Sequence, residues 1–348
     1  MKVRINGIGV IGSFGCGIQS LEEAVINQIS SIPEPLQKSI GSDQTAPAPP
    51  ELVADTVLLG RFVPPKALRR VDHYSRMAII AGYLALQDAK ESAEIVEGLP
   101  EPMGVIVATG MGPTAGTLDS QAPDADAADL RLSPIQFSNS VHNAAAAYIS
   151  MLLKIRGPNV SINQYDMSVP LAFQTAVDWL EEGRAASVLV GGVDCFSKGL
   201  CDATLCTPNR NDENSSRGPV PVGEGRAFFV LTLSDAKESR YPFIRDVRIG
   251  RNLQDIAPPS GALFLHDGSG EASSLLGPAA CQAVFSRVYG AFPSSMALDL
   301  AMTALLLKKE KGHALIPHFD FGPDFAKNPR ICCLKKGVAG DLGLIEVA

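Results

Sequence analysis

The chain has 348 residues, 46% of them hydrophobic, enough to build a large core as one domain or two. A net charge of −7 argues against nucleic acid as the main partner, and no apolar run approaches the roughly 20 residues that cross a bilayer, so no membrane span is expected. The seven cysteines include no Cys-x-x-Cys pair, so neither a metal site nor a disulfide framework is signalled, and no cofactor is implied.

Met1-Lys2-Val3-Arg4-Ile5-Asn6 runs straight into a strand without the apolar region of a signal peptide, and with the odd cysteine count this reads as a cytoplasmic protein. Val3 to Ile11 is an apolar strand containing Gly7 and Gly9, and Glu22 to Ile29 has helical spacing. Residues 43–51 are a Pro/Ala loop. Val71 to Ala89 reads as a long helix, because Met77, Ile80 and Leu84, and also Ile79, Tyr83 and Leu86, recur at steps of three and four. Met103 to Thr109 is a short strand followed by a glycine-rich turn, and 121–129 is a polar loop. Asn143 to Ile155 is an alanine-rich helix, Val160 to Asn163 a strand, Ser168 to Glu182 a helix, and Ser187 to Val190 a buried strand ended by a Gly191-Gly192 turn. Strands near Ala227–Leu233 and Ala262–Leu265, a helix at Ser295–Lys309 and a strand at Leu342–Val347 complete the chain. Strands alternating with helices predict packed α/β layers.

From Gly157-Pro158 through Asp166 to Gly191-Gly192 the chain resembles, without a gap, the segment of β-ketoacyl synthases that carries their nucleophilic cysteine. Further similarity lies in Ile5-Asn6-Gly7-Ile8-Gly9-Val10, in Ala67-Leu68-Arg69-Arg70 before the long helix, and in Pro134, Phe137 and Asn143. Arg217-Gly218-Pro219-Val220-Pro221-Val222-Gly223-Glu224-Gly225 resembles the family's Gly-Glu-Gly signature, with Gly223, Glu224 and Gly225 as its structural core. These motifs keep the family's order over roughly residues 1–235. The resemblance implies a thiolase-like α/β fold, with two related halves in a layered α-β-α-β-α arrangement. An N-terminal half would span 1–235 and a shortened C-terminal half 236–348.

Asp166 stands at the position that the resemblance assigns to the cysteine. A cysteine at a helix N-terminus is favoured as thiolate by the helix dipole, whereas an aspartate there is a poor acyl acceptor. Leu265-His266-Asp267-Gly268 resembles the first histidine motif and assigns His266 to that position; the second histidine has no counterpart before the helix that follows Tyr289-Gly290-Ala291-Phe292-Pro293. His313 follows that helix instead, and Leu334-Lys335-Lys336-Gly337-Val338-Ala339-Gly340 replaces the family's closing glycine-rich loop. Negative charge at residue 166 also opposes enolate stabilisation.

Residue chemistry alone offers plainer roles. Asp166 can cap the helix that carries Pro170 in its first turn; His266 can be a hydrogen-bonded buried histidine and Glu224 a buried structural carboxylate. His142 reads as structural, and Cys195, Cys201 and Cys206 as packing residues, with a displaced nucleophile among them as the alternative. Lys66, Arg69 and Arg70 form a basic cluster, either a solvated face or a dock for an acidic carrier protein.

The resemblance therefore implies a catalytically silent ketosynthase-like subunit, similar to the chain-length factors of type II polyketide and aryl-polyene systems. Such a subunit pairs with an active ketosynthase through Val160–Asn163, serves an acyl carrier protein and shapes the acyl tunnel, to which Phe137 and Met167 would contribute. The alternatives are a residual acyltransferase or decarboxylase using His266, and a non-catalytic homodimer that binds an acyl ligand or carrier protein.

Overall fold

The computed structural model describes residues 2–31, 52–91, 98–113, 134–195, 223–235, 239–268, 270–277, 280–307, 325 and 329–348. The expected loops at 43–51 and 121–129, Cys201, Cys206, His313 and Arg217–Val222 lie outside the described residues.

Its strands are β1 (Lys2–Gly12), β2 (Gly15–Cys16), β3 (Met103–Thr109), β4 (Asn159–Asn163), β5 (Ser187–Asp194), β6 (Gly225–Ser234), β7 (Phe243–Gly250), β8 (Leu263–Leu265), β9 (Cys281–Ala283), β10 (Ile331–Lys336) and β11 (Leu342–Val347). The helices are α1 (Ile18–Ser31), α2 (Pro65–Leu68), α3 (His73–Glu91), α4 (Pro134–Asn139), α5 (Ala144–Leu153), α6 (Ser168–Glu181), α7 (Leu253–Ile256), α8 (Gly270–Leu276), α9 (Ser286–Tyr289) and α10 (Met296–Leu306). Short 3₁₀ turns at Tyr165–Met167 and Pro293–Ser295 precede α6 and α10.

The strands join in the order β4-β3-β5-β6-β1-β7-β11-β10-β8-β9. The order repeats: β3 lies parallel between β4 and β5, β5 is antiparallel to β6, and β6 antiparallel to β1. In the same way β8 lies parallel between β9 and β10, β10 is antiparallel to β11, and β11 antiparallel to β7. The two sets meet where β1 pairs with β7 over Val3↔Ile244 and Arg4↔Phe243.

Three buried clusters separate five layers. One gathers α6 and α10 between the inner faces of both strand sets, with Phe173, Trp179, Leu298 and Met302 fully or almost fully enclosed. The second packs α3 and α5 on the outer face of the first set, and the third packs α7 and α8 on the outer face of the second. This is the thiolase-like α/β architecture. Helix α10 is buried on every side and, apart from Asp299 and Thr303, apolar all round, as such a helix requires. Gly7 and Gly9 of β1 leave room for the backbone of α3 around Ala81, Ala85 and Ala89, where any Cβ would collide.

β3 and β11 occupy the expected spans. Four strands escape sequence patterning: β2 is only two residues long, and β7, β9 and β10 show no clean alternation. β5 also continues through Gly191 and Gly192 to Asp194, so the expected turn there is strand; the close approach of Phe228 from β6 is what the small residue at 191 accommodates. Leu334 to Lys336, expected in a loop, belong to β10, and only residues 337–340 form the turn. Among the described residues, no helix is long and apolar enough to cross a membrane.

Candidate functional site

Three segments meet at Asp166. The chain leaves β4, turns at Tyr165 with φ of 48°, and enters the 3₁₀ turn that starts α6. A left-handed non-glycine residue needs support. Ser168 supplies it: its Oγ accepts from the Gln164 N–H at 2.8 Å and lies 2.8 Å from the Thr109 carbonyl and 2.7 Å from that of Tyr165. Asp194 organises the neighbouring turn, its carboxylate accepting from the Thr109 hydroxyl and from the Gly110, Met111 and Ser294 N–H groups.

The Asp166 carboxylate does not cap a helix; the cap positions are Gln164 and Met167, and neither carries a side-chain cap bond. Instead its Oδ1 lies 3.3 Å from Nζ of Lys335, and that Nζ donates to Asp267 Oδ2 at 2.9 Å. The side chains of Lys335, Asp166 and Asp267 are 4%, 12% and 13% exposed. A buried acid thus finds a buried cation, which offsets part of the cost of dehydrating both. Burial alone would lower the Lys335 pKa, but the negative charges of Asp267 and Asp166 hold it above its ordinary value, so it stays an ammonium.

A further carboxyl lies near the Lys335 ammonium. Asp299 of α10 adds a third, fully enclosed and hydrogen bonded to the Tyr289 hydroxyl. Burial pushes the Asp299 carboxyl up to about 7 and the Asp166 carboxyl above the usual range, Lys335 notwithstanding. Lys335 went unnoticed as a site residue in the sequence. The available signal was a lysine continuing the run Ile331-Cys332-Cys333-Leu334, because a charge on a buried strand demands a partner.

His266 is buried beside this triad. Its Nε2 pairs with Oε1 of Gln282 at 3.1 Å, and its Nδ1 accepts from the Gly268 N–H at 3.1 Å. Glu224 is buried; Oε1 accepts from the Ala54 N–H at 2.9 Å and pairs with Nε2 of His73 at 2.7 Å. Burial would raise its pKa, but the His73 hydrogen bond and the charge of buried Arg226 bring it below the ordinary value. Gly223 and Gly225 flank it at the start of β6. Cys195 is buried with Sγ 3.8 Å from the Gly112 carbonyl, and half-buried His142 packs against Gly112.

The two residues assigned to a tunnel sit at different depths. Met167 is 2% exposed, its sulfur filling the space beside Gly343 of β11, whereas Phe137 on α4 is 64% exposed. Lys66, Arg69 and Arg70 are exposed, and Asn139 and Tyr148 hydrogen bond the Arg70 carbonyl, joining the basic cluster to α4 and α5.

Comparison with known proteins agrees with this architecture. The chain is 25% identical over 258 residues to 3-oxoacyl-(acyl-carrier-protein) synthase 2 of Rhizobium meliloti (strain 1021), covering 66% of this chain and 58% of that protein. It spans little more than half the length of the first curated relatives it matches. Among solved structures, the ishigamide ketosynthase/chain length factor superposes with a TM-score of 0.68 at 15% identity, covering 100% of this chain and 99% of that one. The AntDE:AntF complex, a type II PKS acyl-carrier protein with its ketosynthase bound to the hexaketide, gives 0.70 at 14% identity with the same coverage. Residues 58–235 match the sequence model of the β-ketoacyl synthase N-terminal domain. That match spans just over half of the chain, which belongs to the β-ketoacyl synthase family.

Proposed function

We propose that the chain is a catalytically silent ketosynthase-like subunit that pairs with an active β-ketoacyl synthase and shapes the tunnel in which that partner's acyl chain grows. The observation that carries this reading is Asp166: at the position assigned to the nucleophile stands a carboxylate engaged by Lys335, which has neither the nucleophilicity nor the freedom to take up an acyl group. His266 adds no base, because both ring nitrogens already have partners. The division at residues 235 and 236 belongs to the same reading, supported by the repeated strand order.

The surface around β4 supports the pairing. Among the described residues, β4 pairs only with β3, leaving its outer edge open, and Asn159 holds α5 beside it through the Ala146 carbonyl at 3.0 Å. Ile135, Phe137, Val141 and Met151 expose apolar surface on or beside α4 and α5. An unpaired edge strand next to exposed apolar side chains is a surface made for association. Lys66, Arg69 and Arg70 lie next to this surface and suit an acidic carrier protein.

The test is native mass spectrometry after co-expression with a ketosynthase and carrier protein from the same organism. A one-to-one complex with the ketosynthase supports the proposal. A homodimer that ignores the ketosynthase refutes it, and acyl mass appearing on such a homodimer would return the chemistry to this chain.

A further inference from the structure

We infer that Lys335 is a built-in plug, its ammonium group filling the space that a substituent on residue 166 would need and sealing that position. The inference deepens the reading of residue 166 as the former nucleophile position and rests on it. Three observations carry it. First, Nζ lies 3.3 Å from Asp166 Oδ1, so any group growing outward from this side chain meets the ammonium at once. Second, the side chain cannot swing away cheaply: it is 4% exposed, and withdrawal would take its ammonium from the buried carboxylates of Asp166 and Asp267.

Third, the strand beneath it has no slack. β10 is held by β8 along Ile331–Cys333 and by β11 along its whole length, where Lys335 lies opposite Gly343. Gly343 in turn abuts the Pro170 ring and the Met167 sulfur, pressing the β10–β11 ribbon against the start of α6. The residues that replaced the family's closing loop therefore deliver a cation into the site. Asp267, next to His266, is the second latch, so the plug bridges the two strand sets. Sealing residue 166 is distinct from lacking a thiol there: the plug keeps the site shut even when a thiol is supplied.

The experiment compares Asp166→Cys with Asp166→Cys/Asp267→Asn/Lys335→Ala, which removes the plug and leaves the triad uncharged. Each is treated with N-hexyl iodoacetamide, a thiol probe carrying a short acyl-like tail, and residue 166 is read by peptide mass spectrometry. The expected result is no adduct at residue 166 in the single variant and complete alkylation there in the triple variant. Equal alkylation of both overturns the plug, as does no alkylation of either, since something other than Lys335 would then close the site. If the triple variant does not fold, the wild-type protein decides: on acetic anhydride treatment Lys335 must stay unmodified while exposed Lys66 is acetylated, and equal modification overturns the inference. Free alkylation of the single variant would leave the silent-subunit reading intact. Acyl transfer to the wild-type chain at another residue would sink that reading and spare the plug.

Discussion

Lys335→Met tests the buried triad most directly. The substitution keeps the length and apolar stem of the side chain and removes only the charge. Its two contacts, at 2.9 and 3.3 Å, join groups that are nearly enclosed, so the rule for buried pairs applies and not the small value of surface pairs. Removing one partner of a buried pair costs about 3–5 kcal/mol, because the stranded carboxylates must stay dehydrated or take up protons. Protonation relieves part of that cost, and burial raises the Asp166 pKa, so the loss should grow as pH rises through the titration of that carboxyl. For a chain of this length the same loss corresponds to a fall in Tm on the order of 5 °C. The assay is urea unfolding followed by the fluorescence of Trp179, the chain's single tryptophan, buried on α6. Replacing all three charges, Asp166→Asn/Asp267→Asn/Lys335→Met, should recover most of the loss. A loss below about 1 kcal/mol, the surface range, would refute the argument, and so would a triple variant no more stable than the single one.

Three further outcomes follow from the same structure. Asp299 has a folded-state pKa of about 7, raised by burial beside Tyr289, so its contribution is fully present below the unfolded value near 4 and is lost as pH rises through about 7. Asp299→Asn should flatten the fall in urea midpoint between about pH 5 and pH 8, and an unchanged fall would place the titration elsewhere. Glu224→Gln should cost about 3 kcal/mol at neutral pH, because fully buried Arg226 loses its neighbouring charge. As the Glu224 pKa is depressed, that penalty should shrink as pH falls below the carboxylate range; His73→Gln, altering a 43% exposed ring, should cost less by the same unfolding assay. Phe137→Asp combined with Met151→Asp should leave thermal stability nearly unchanged, since both side chains are largely exposed, yet weaken association in sedimentation velocity; association as tight as wild type would remove this surface from the proposed interface.

The sequence determined the fold class and much of its order. Local patterning located β3 and β11 to the residue and α3 to within two residues at each end, because amphipathic and fully buried runs report their surroundings locally. The Gly-Pro entry and the carboxylate at residue 166, where the resemblance expects a thiol, were also legible, being properties of one continuous segment. The sequence placed Leu334–Lys336 in a loop and gave them no special role, and it offered a helix cap as the plain reading of Asp166. Both errors have one physical cause. The partner of Asp166 is set by which strands lie side by side, and β10 reaches the start of α6 only because the sheet order runs β11-β10-β8. A charge can be placed on a strand by reading the chain, but whether it meets a cation, another acid or water is decided by tertiary packing, where the low dielectric makes that encounter the dominant electrostatic fact of the site.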